Sequence, residues 1–401
     1  MKITRPICLL TVAALATSCF SSGKLQEENV VDTLVPMVFG TSSSQAETPQ
    51  SKASATLAQG FKVNTWKRFG EAGQQTVMDG YKVDYTPSAS SKWDYVGVNG
   101  QIQRYWDLSA FPYEFRAVSP WSEDVTITQE GITIGRTFYG QTFRNGVYDK
   151  TGAECEPFVV AQVRRSDLGA GLAERYQDRD LIKDAEINPS ARADATRSVH
   201  MPFHHLLCKV GFRVFIDDPQ PSSPDYQVTL LGAEVSVVKD GFLTKGTYVA
   251  TAAQGLGRGT FTDPSPVSGE YCLFKQEHAY AENLRDYLNR DGAFDLTPGE
   301  LQQIPQEGVK IRVKIRMQTH GGGVVDGQYD YDVLLSLDKT NPSGDLFTWE
   351  SDTRYIYYLH IPNLQAHKIF LDTCEVLPWD IVETDDIPVD VESLLSTKNS
   401  R

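Results

Sequence analysis

The feature that most constrains this chain is a two-residue alternation of apolar and polar side chains, repeated in short runs with turn residues between them. Successive side chains of a strand point to opposite faces, so a run of this kind buries one face of a sheet and wets the other. Residues 30–39 show it first: Val31, Thr33, Val35, Met37 and Phe39 share one face, and Pro36 faces the other way, which suits an edge strand. Further strand-like runs occupy 60–67, 81–85, 92–97, 103–107, 113–118, 125–134 and 157–164. A second series begins at Val199, runs through Ile216 and continues at 227–238, 247–251, 309–318, 329–337, 354–361 and 367–376. Gly321, Gly322 and Gly323 fall between two of these runs and predict a hairpin turn. Residues 275–289 instead place Tyr280, Leu284, Tyr287 and Leu288 at helical spacing, which predicts a short helical insertion.

With 18 Tyr, 18 Phe, 31 Gly and 20 Pro, the composition favours strands and turns over a helical bundle. At 401 residues the chain is long for one core and suits two domains. The charged, Ala-rich stretch 165–197 is the natural boundary, giving β-sandwich domains at 59–195 and 196–379 and an all-β fold. The net charge of −14 argues against a nucleic-acid partner, because phosphate binding needs a surplus of Lys and Arg.

The N-terminus reads as a targeting segment. Lys2 and Arg5 precede the apolar run 7–16, which is too short to span a membrane as a helix. Ala16, Thr17 and Ser18 then lead into Cys19, an arrangement that resembles a bacterial lipobox. Leu15 lies one position earlier than that pattern prefers. Residues 1–18 are expected to be a lipoprotein signal, with Cys19 lipidated. Residues 19–58 are expected to hold a tether, the first strand, and a long polar loop over 40–58.

Signals for catalysis are weak. His200, His204 and His205 cluster without a His-Glu-x-x-His pattern and read as a packed or half-exposed strand face. The glycines at 255, 257 and 259 lack the Gly-Lys-Ser/Thr ending of a phosphate loop, and Asp286, Asn289, Asp291 and Asp295 do not meet EF-hand spacing. Cys155, Cys208, Cys272 and Cys374 are far apart, with no Cys-x-x-Cys. No enzyme, metal or cofactor is expected.

Four stretches, in order, resemble the fimbrillin family, the type V pilus subunits of Bacteroidia. The first is Val38-Phe39, a Ser-rich gap, Lys52-Ala53, then Phe61-Lys62-Val63-Asn64-Thr65-Trp66-Lys67. The second is Trp93-Asp94-Tyr95, Tyr105-Trp106-Asp107 and Tyr113-Glu114-Phe115-Arg116-Ala117-Val118-Ser119-Pro120. The third is Met201-Pro202-Phe203-His204-His205-Leu206-Leu207-Cys208-Lys209-Val210. The fourth is Tyr355-Ile356-Tyr357-Tyr358-Leu359-His360-Ile361, leading to Pro378-Trp379.

The resemblance implies two transthyretin-like β-sandwich domains in a fimbrial subunit exported as an outer-membrane lipoprotein. It also implies a trypsin-like maturing protease cutting in the loop after the first strand, and polymerisation with other fimbrial subunits by strand exchange. In that loop Lys52 is the one basic residue, so cleavage between Lys52 and Ala53 is expected, removing Val31, Val35, Met37 and Phe39. The extension 380–401 is the expected donor strand, because Ile387, Val389 and Val391 alternate with Pro388, Asp390 and Glu392 and the series continues through Ser393 and Leu395. Two rival readings keep the envelope location. One is a tip or anchor component of the same fimbria. The other is a glycan-binding surface lipoprotein that uses Trp66, Trp93, Trp106 and Trp121 as a platform.

Overall fold

A computed structural model describes residues 35–40, 59–86, 93–165, 198–218, 225–251, 259–280, 282–323, 326–363, 368–379 and 382–383. Strand Gln306–His320 shows how the alternation becomes structure: Val309, Ile311, Val313, Ile315 and Met317 are buried, while Lys310, Arg312, Lys314 and Arg316 face outward. Burying each of the apolar members stabilises the sheet by about 1.5–3 kcal/mol relative to exposure.

Four sheets result. The first has the strand order Val382–Glu383, Pro202–His204, Val159–Arg165, Tyr113–Ser119, Phe61–Lys67, Gln75–Tyr85, Trp93–Asp94. Its central strand Tyr113–Ser119 is buried along its whole length because both faces of the sheet are covered. One face, with Phe61, Val63, Phe115, Ala117 and Phe203, packs beneath residues 35–39 and 93–106. The other, with Trp66, Val118 and Val160, packs with a four-stranded sheet of Thr260–Thr262, Lys245–Thr251, Gly131–Tyr139 and Val125–Ile127. Burial on that second face takes in a charge pair. Arg116 Nε donates to Glu114 Oε1 at 3.1 Å, and its Nη1 donates to the carbonyls of Thr128 and Gln129. Gln162 Nε2 also donates to Glu114 Oε1, which helps to offset the cost of burying the pair, while Glu114 Oε2 is buried without a partner.

The remaining two sheets enclose the largest core. One runs Phe294–Asp295, Cys208–Asp218, Thr353–Asn363, Phe370–Pro378, with Leu301–Gln303 beside Cys208–Asp218. The other runs Gly327–Leu334, Gln306–His320, Gln227–Val238, Glu270–Gln276, Phe143–Arg144, Val147–Tyr148, with Phe347–Trp349 beside Gln306–His320. The all-β sandwich architecture expected from the alternation is therefore present. The two halves also interleave. Gly131–Tyr139 pairs with Lys245–Thr251, Phe143–Arg144 pairs with Glu270–Gln276, and Val199 and Pro202–His204 lie with the first sheet beyond the boundary drawn at 195.

Two local expectations are corrected. Residues 275–289 form no helix of that length: a strand continues to Gln276, and only single 3-10 turns follow at Leu284–Asp286 and Arg290–Gly292. Asn283 and Asn289 accept from the N–H groups of Arg285 and Gly292, which offers the backbone a turn in place of a helix. Tyr280, Leu284 and Tyr287 still reach the core, so the apolar spacing was real and its backbone was not helical. The run 125–134 is not one strand but a hairpin of Val125–Ile127 with Gly131–Tyr139. The glycine hairpin is present between Gln306–His320 and Gly327–Leu334. Gly321 has φ +80°, and a Cβ there would lie 2.2 Å from the Asp225 carbonyl oxygen.

Candidate functional site

The first sheet has a slot across one face, and residues 35–40 fill it. Met37 and Phe39 are buried, Pro36 is exposed, and Val35 and Val38 are half-buried, so the alternation read from the sequence is the burial pattern observed. Phe39 meets Phe61, Tyr95 and Phe115 edge-to-face, with ring centroids 5.4, 6.0 and 6.3 Å away. Such pairs add about 0.5–1.5 kcal/mol to simple burial.

Backbone hydrogen bonds hold this segment on both flanks. Its backbone pairing consists of isolated bridges, Pro36 with Tyr105, Phe39 with Trp93 and Phe39 with Val199, not a continuous ladder. Met37 N–H donates to Arg104 O at 2.8 Å and Trp106 N–H to Val35 O at 2.9 Å. On the other flank Val199 N–H donates to Val38 O at 2.8 Å and Gly40 N–H to Val199 O at 3.3 Å.

One polar group lies inside the slot. The Tyr95 hydroxyl donates to the Met37 carbonyl at 2.9 Å, and the Gln103 amide donates to the same oxygen at 3.2 Å and to the Tyr95 oxygen at 2.8 Å. Burial pushes the Tyr95 hydroxyl up to about 12, since the tyrosinate would lose its hydration. Nearby, Trp106 Nε1 is buried without a hydrogen-bond partner.

A second constellation lies where the last long strand ends. Trp379 stacks on His205 with ring centroids 3.8 Å apart, and Lys209 Nζ lies 4.3 Å from the Trp379 ring centroid. His205 Nδ1 is 2.5 Å from Glu156 Oε2, while Glu156 Oε1 accepts from the backbone N–H groups of Leu206 and Leu207. Asp352 joins this cluster through His204 Nδ1 at 2.8 Å and the His205 N–H at 3.2 Å. Just beyond it, Val382–Glu383 pairs with Pro202–His204 at the edge of the first sheet. The histidine cluster is thus a structural junction at the root of the C-terminal extension.

Of the residues singled out from sequence, Val35, Met37 and Phe39 come together in the slot. Val31, Cys19, Lys52, Ala53, Ile387, Val389, Val391 and Leu395 lie outside the described residues. Sequence reading missed Tyr95 and Gln103 as a pair gripping one carbonyl. The signal for Tyr95 was its place in Trp93-Asp94-Tyr95, whereas nothing local marks Gln103. The proposed tryptophan platform is not assembled: Trp66, Trp93 and Trp106 are buried in core, and Trp121 is half-buried. Cys155, Cys208, Cys272 and Cys374 are free thiols. Among the described residues no group of three or more His, Cys, Asp or Glu could hold a metal ion, and no helix is long and apolar enough to cross a membrane.

No family model and no curated protein matches the chain. Solved structures do. A fimbrial protein from Bacteroides vulgatus is 15% identical, with a TM-score of 0.51 over 86% of this chain and 99% of that one. A candidate cell adhesion protein from Bacteroides uniformis is 14% identical, with a TM-score of 0.39 over 87% of this chain and 99% of that one. The tip fimbrial protein Mfa3 from Porphyromonas gingivalis is 10% identical, with a TM-score of 0.31 over 80% of this chain and 93% of that one. The likeness to the Bacteroides vulgatus protein establishes a shared fold, and the resemblance to fimbrial proteins anticipated from the sequence is met at that level.

Proposed function

We propose that this chain is a structural subunit of a cell-surface fimbria of the fimbrillin type, supporting adhesion. In this reading the precursor is tethered to the outer membrane through a lipid on Cys19. A trypsin-like protease cuts after Lys52, so that the mature chain begins at Ala53. Loss of the first strand then empties the slot, and a strand from the next subunit fills it, with residues 387–395 as donor.

The observation that carries the reading is the slot itself. Met37 and Phe39 are buried on a segment joined to the rest of the sheet by isolated bridges, and in sequence this segment directly precedes the polar stretch that contains Lys52. Removing such a segment leaves an apolar trough and unpaired backbone groups, which a new extended chain can satisfy. Identical head-to-tail joints do not close on themselves, so the product is a filament. The buried positions of Trp66, Trp93 and Trp106 count against the glycan-platform alternative. A tip or anchor role uses the same fold and differs in whether the slot is emptied.

N-terminal sequencing of fibres recovered from the cell surface tests the proposal. A first residue of Ala53 is expected, and a start at or before Asn29 would refute trimming.

A further inference from the structure

The register of the incoming strand can be read from the segment it replaces. We propose that residues 387–391 enter the slot in the same direction and register as residues 35–39, with Pro388 in the place of Pro36 and the Val389 carbonyl gripped by Tyr95 and Gln103. This rests on the strand-exchange reading above.

Position 36 is where the slot accepts a proline. Pro36 is exposed and lies opposite Tyr105. The hydrogen bonds around that pair are made by its neighbours, Met37 N–H to Arg104 O and Trp106 N–H to Val35 O. On the other flank, among the described residues, pairing begins at Val38. A residue without an N–H therefore loses nothing there. The extension 380–401 contains one proline, Pro388, flanked by Ile387 and Val389.

Setting Val35-Pro36-Met37-Val38-Phe39 beside Ile387-Pro388-Val389-Asp390-Val391 puts apolar side chains at all three inward positions. It also puts Asp390 at the half-buried position of Val38. Every alternative is worse. A one-residue slip turns Pro388 and Asp390 into the core. Sliding so that Pro388 meets position 38 places Asp385 where Val35 packs, and the opposite slide places Ser393 in the Phe39 pocket.

The Tyr95 hydroxyl favours this choice. Once residues 35–40 leave, the Gln103 amide still donates to the Tyr95 oxygen and to the Arg104 carbonyl, but the Tyr95 hydroxyl keeps only a long 3.5 Å contact to the Arg104 carbonyl. A buried hydroxyl that loses its one short hydrogen bond is costly, so a docked strand that presents a carbonyl at that point is favoured over one that does not. In the proposed register that carbonyl belongs to Val389. Val389 and Val391 are smaller than Met37 and Phe39, so the resident segment fills the slot better than its replacement. That difference explains why the resident must be cut away before exchange can occur.

Opposed antiparallel residues without mutual hydrogen bonds bring their Cα atoms within disulfide range. Fibres of the full chain carrying Tyr105→Cys and Pro388→Cys should therefore give a ladder of covalent oligomers under oxidising, denaturing conditions. Tyr105→Cys alone, or combined with Asp386→Cys or Asp390→Cys, should not. A stronger ladder with Asp386→Cys or Asp390→Cys would overturn the register and leave strand exchange standing. Fibres that form yet show no ladder with any of the three would overturn the donor assignment. A second measurement needs no assembly. The untrimmed chain carrying Val35→Ile, Met37→Val, Val38→Asp and Phe39→Val should stay folded with residues 35–39 docked, and a further Tyr95→Phe change should lower protection of the Trp106 amide while the sheet beneath stays folded. If this graft leaves the slot unfilled, judged by full hydrogen exchange at the Trp106 amide, the register is wrong even if fibres assemble.

Discussion

Replacing Phe39 by Ala tests whether residues 35–40 behave as a separable plug. Phe39 is 1% exposed and contacts three aromatic rings edge-to-face. For a side chain locked into an ordinary core, such a truncation costs about 3–5 kcal/mol of global stability. A plug behaves differently, because once its own docking energy is spent the segment leaves and the sheet beneath stays folded. The loss then falls on local opening, where every 1.4 kcal/mol is about tenfold in the equilibrium. Amide protection at Met37, Gly40, Trp106 and Val199 should drop by roughly 10²- to 10³-fold or more. Protection in the central strand Tyr113–Ser119 should change far less. Hydrogen exchange resolved by residue, run beside urea unfolding, separates the two cases. A uniform loss of protection across the first sheet, matched by the full drop in global stability, would show that residues 35–40 are an inseparable part of the core.

Three further outcomes follow from the same geometry. Burial raises Tyr95 to about 12, so its contribution to stability is complete below the ordinary tyrosine value of 10.0 and is lost as pH climbs through 12; ultraviolet titration of wild type against Tyr95→Phe should locate this group, and trimming after Lys52 should move it back toward 10.0. Trp379→Ala should cost about 3–5 kcal/mol in chemical unfolding and free the Val382 and Glu383 amides to exchange, and unchanged stability would deny the stacked junction its structural role. Deleting residues 386–401 should leave a folded, exported and trimmed monomer unable to extend fibres, and wild-type fibre lengths from that truncation would eliminate the donor segment.

Much of the fold was legible because period two survives in short runs. Gln306–His320 and residues 35–39 could be read almost side chain by side chain, since each has one wet face. Tyr113–Ser119 was harder: a strand covered on both faces carries no alternation, and it holds Glu114 and Arg116 at buried positions that sequence would assign to water. What the sequence hid was pairing at long range. Nothing local says that Gly131–Tyr139 adds to Lys245–Thr251, or that Pro202–His204 joins the first sheet, because each of these strands is compatible with many partners. The helical spacing at 275–289 misled because Asn283 and Asn289 supply turn hydrogen bonds that apolar spacing does not register.

The slot and the junction at Trp379 lie on the same first sheet. Residues 35–40 bridge to Val199, and Val382–Glu383 pairs with Pro202–His204, so a single short stretch, 199–204, touches both the segment expected to leave and the root of the segment expected to donate. The two contacts differ in character. Residues 35–40 are held by the buried Met37 and Phe39 and by backbone bonds on both flanks, whereas the root of the extension is fixed by a stacked indole, a buried His–Glu contact and a two-residue strand pairing. A donor must reach a neighbouring subunit without unravelling its own. In the proposed exchange, an anchor at Trp379 would meet that requirement by keeping the pull on residues 387–395 from reaching the sandwich behind it.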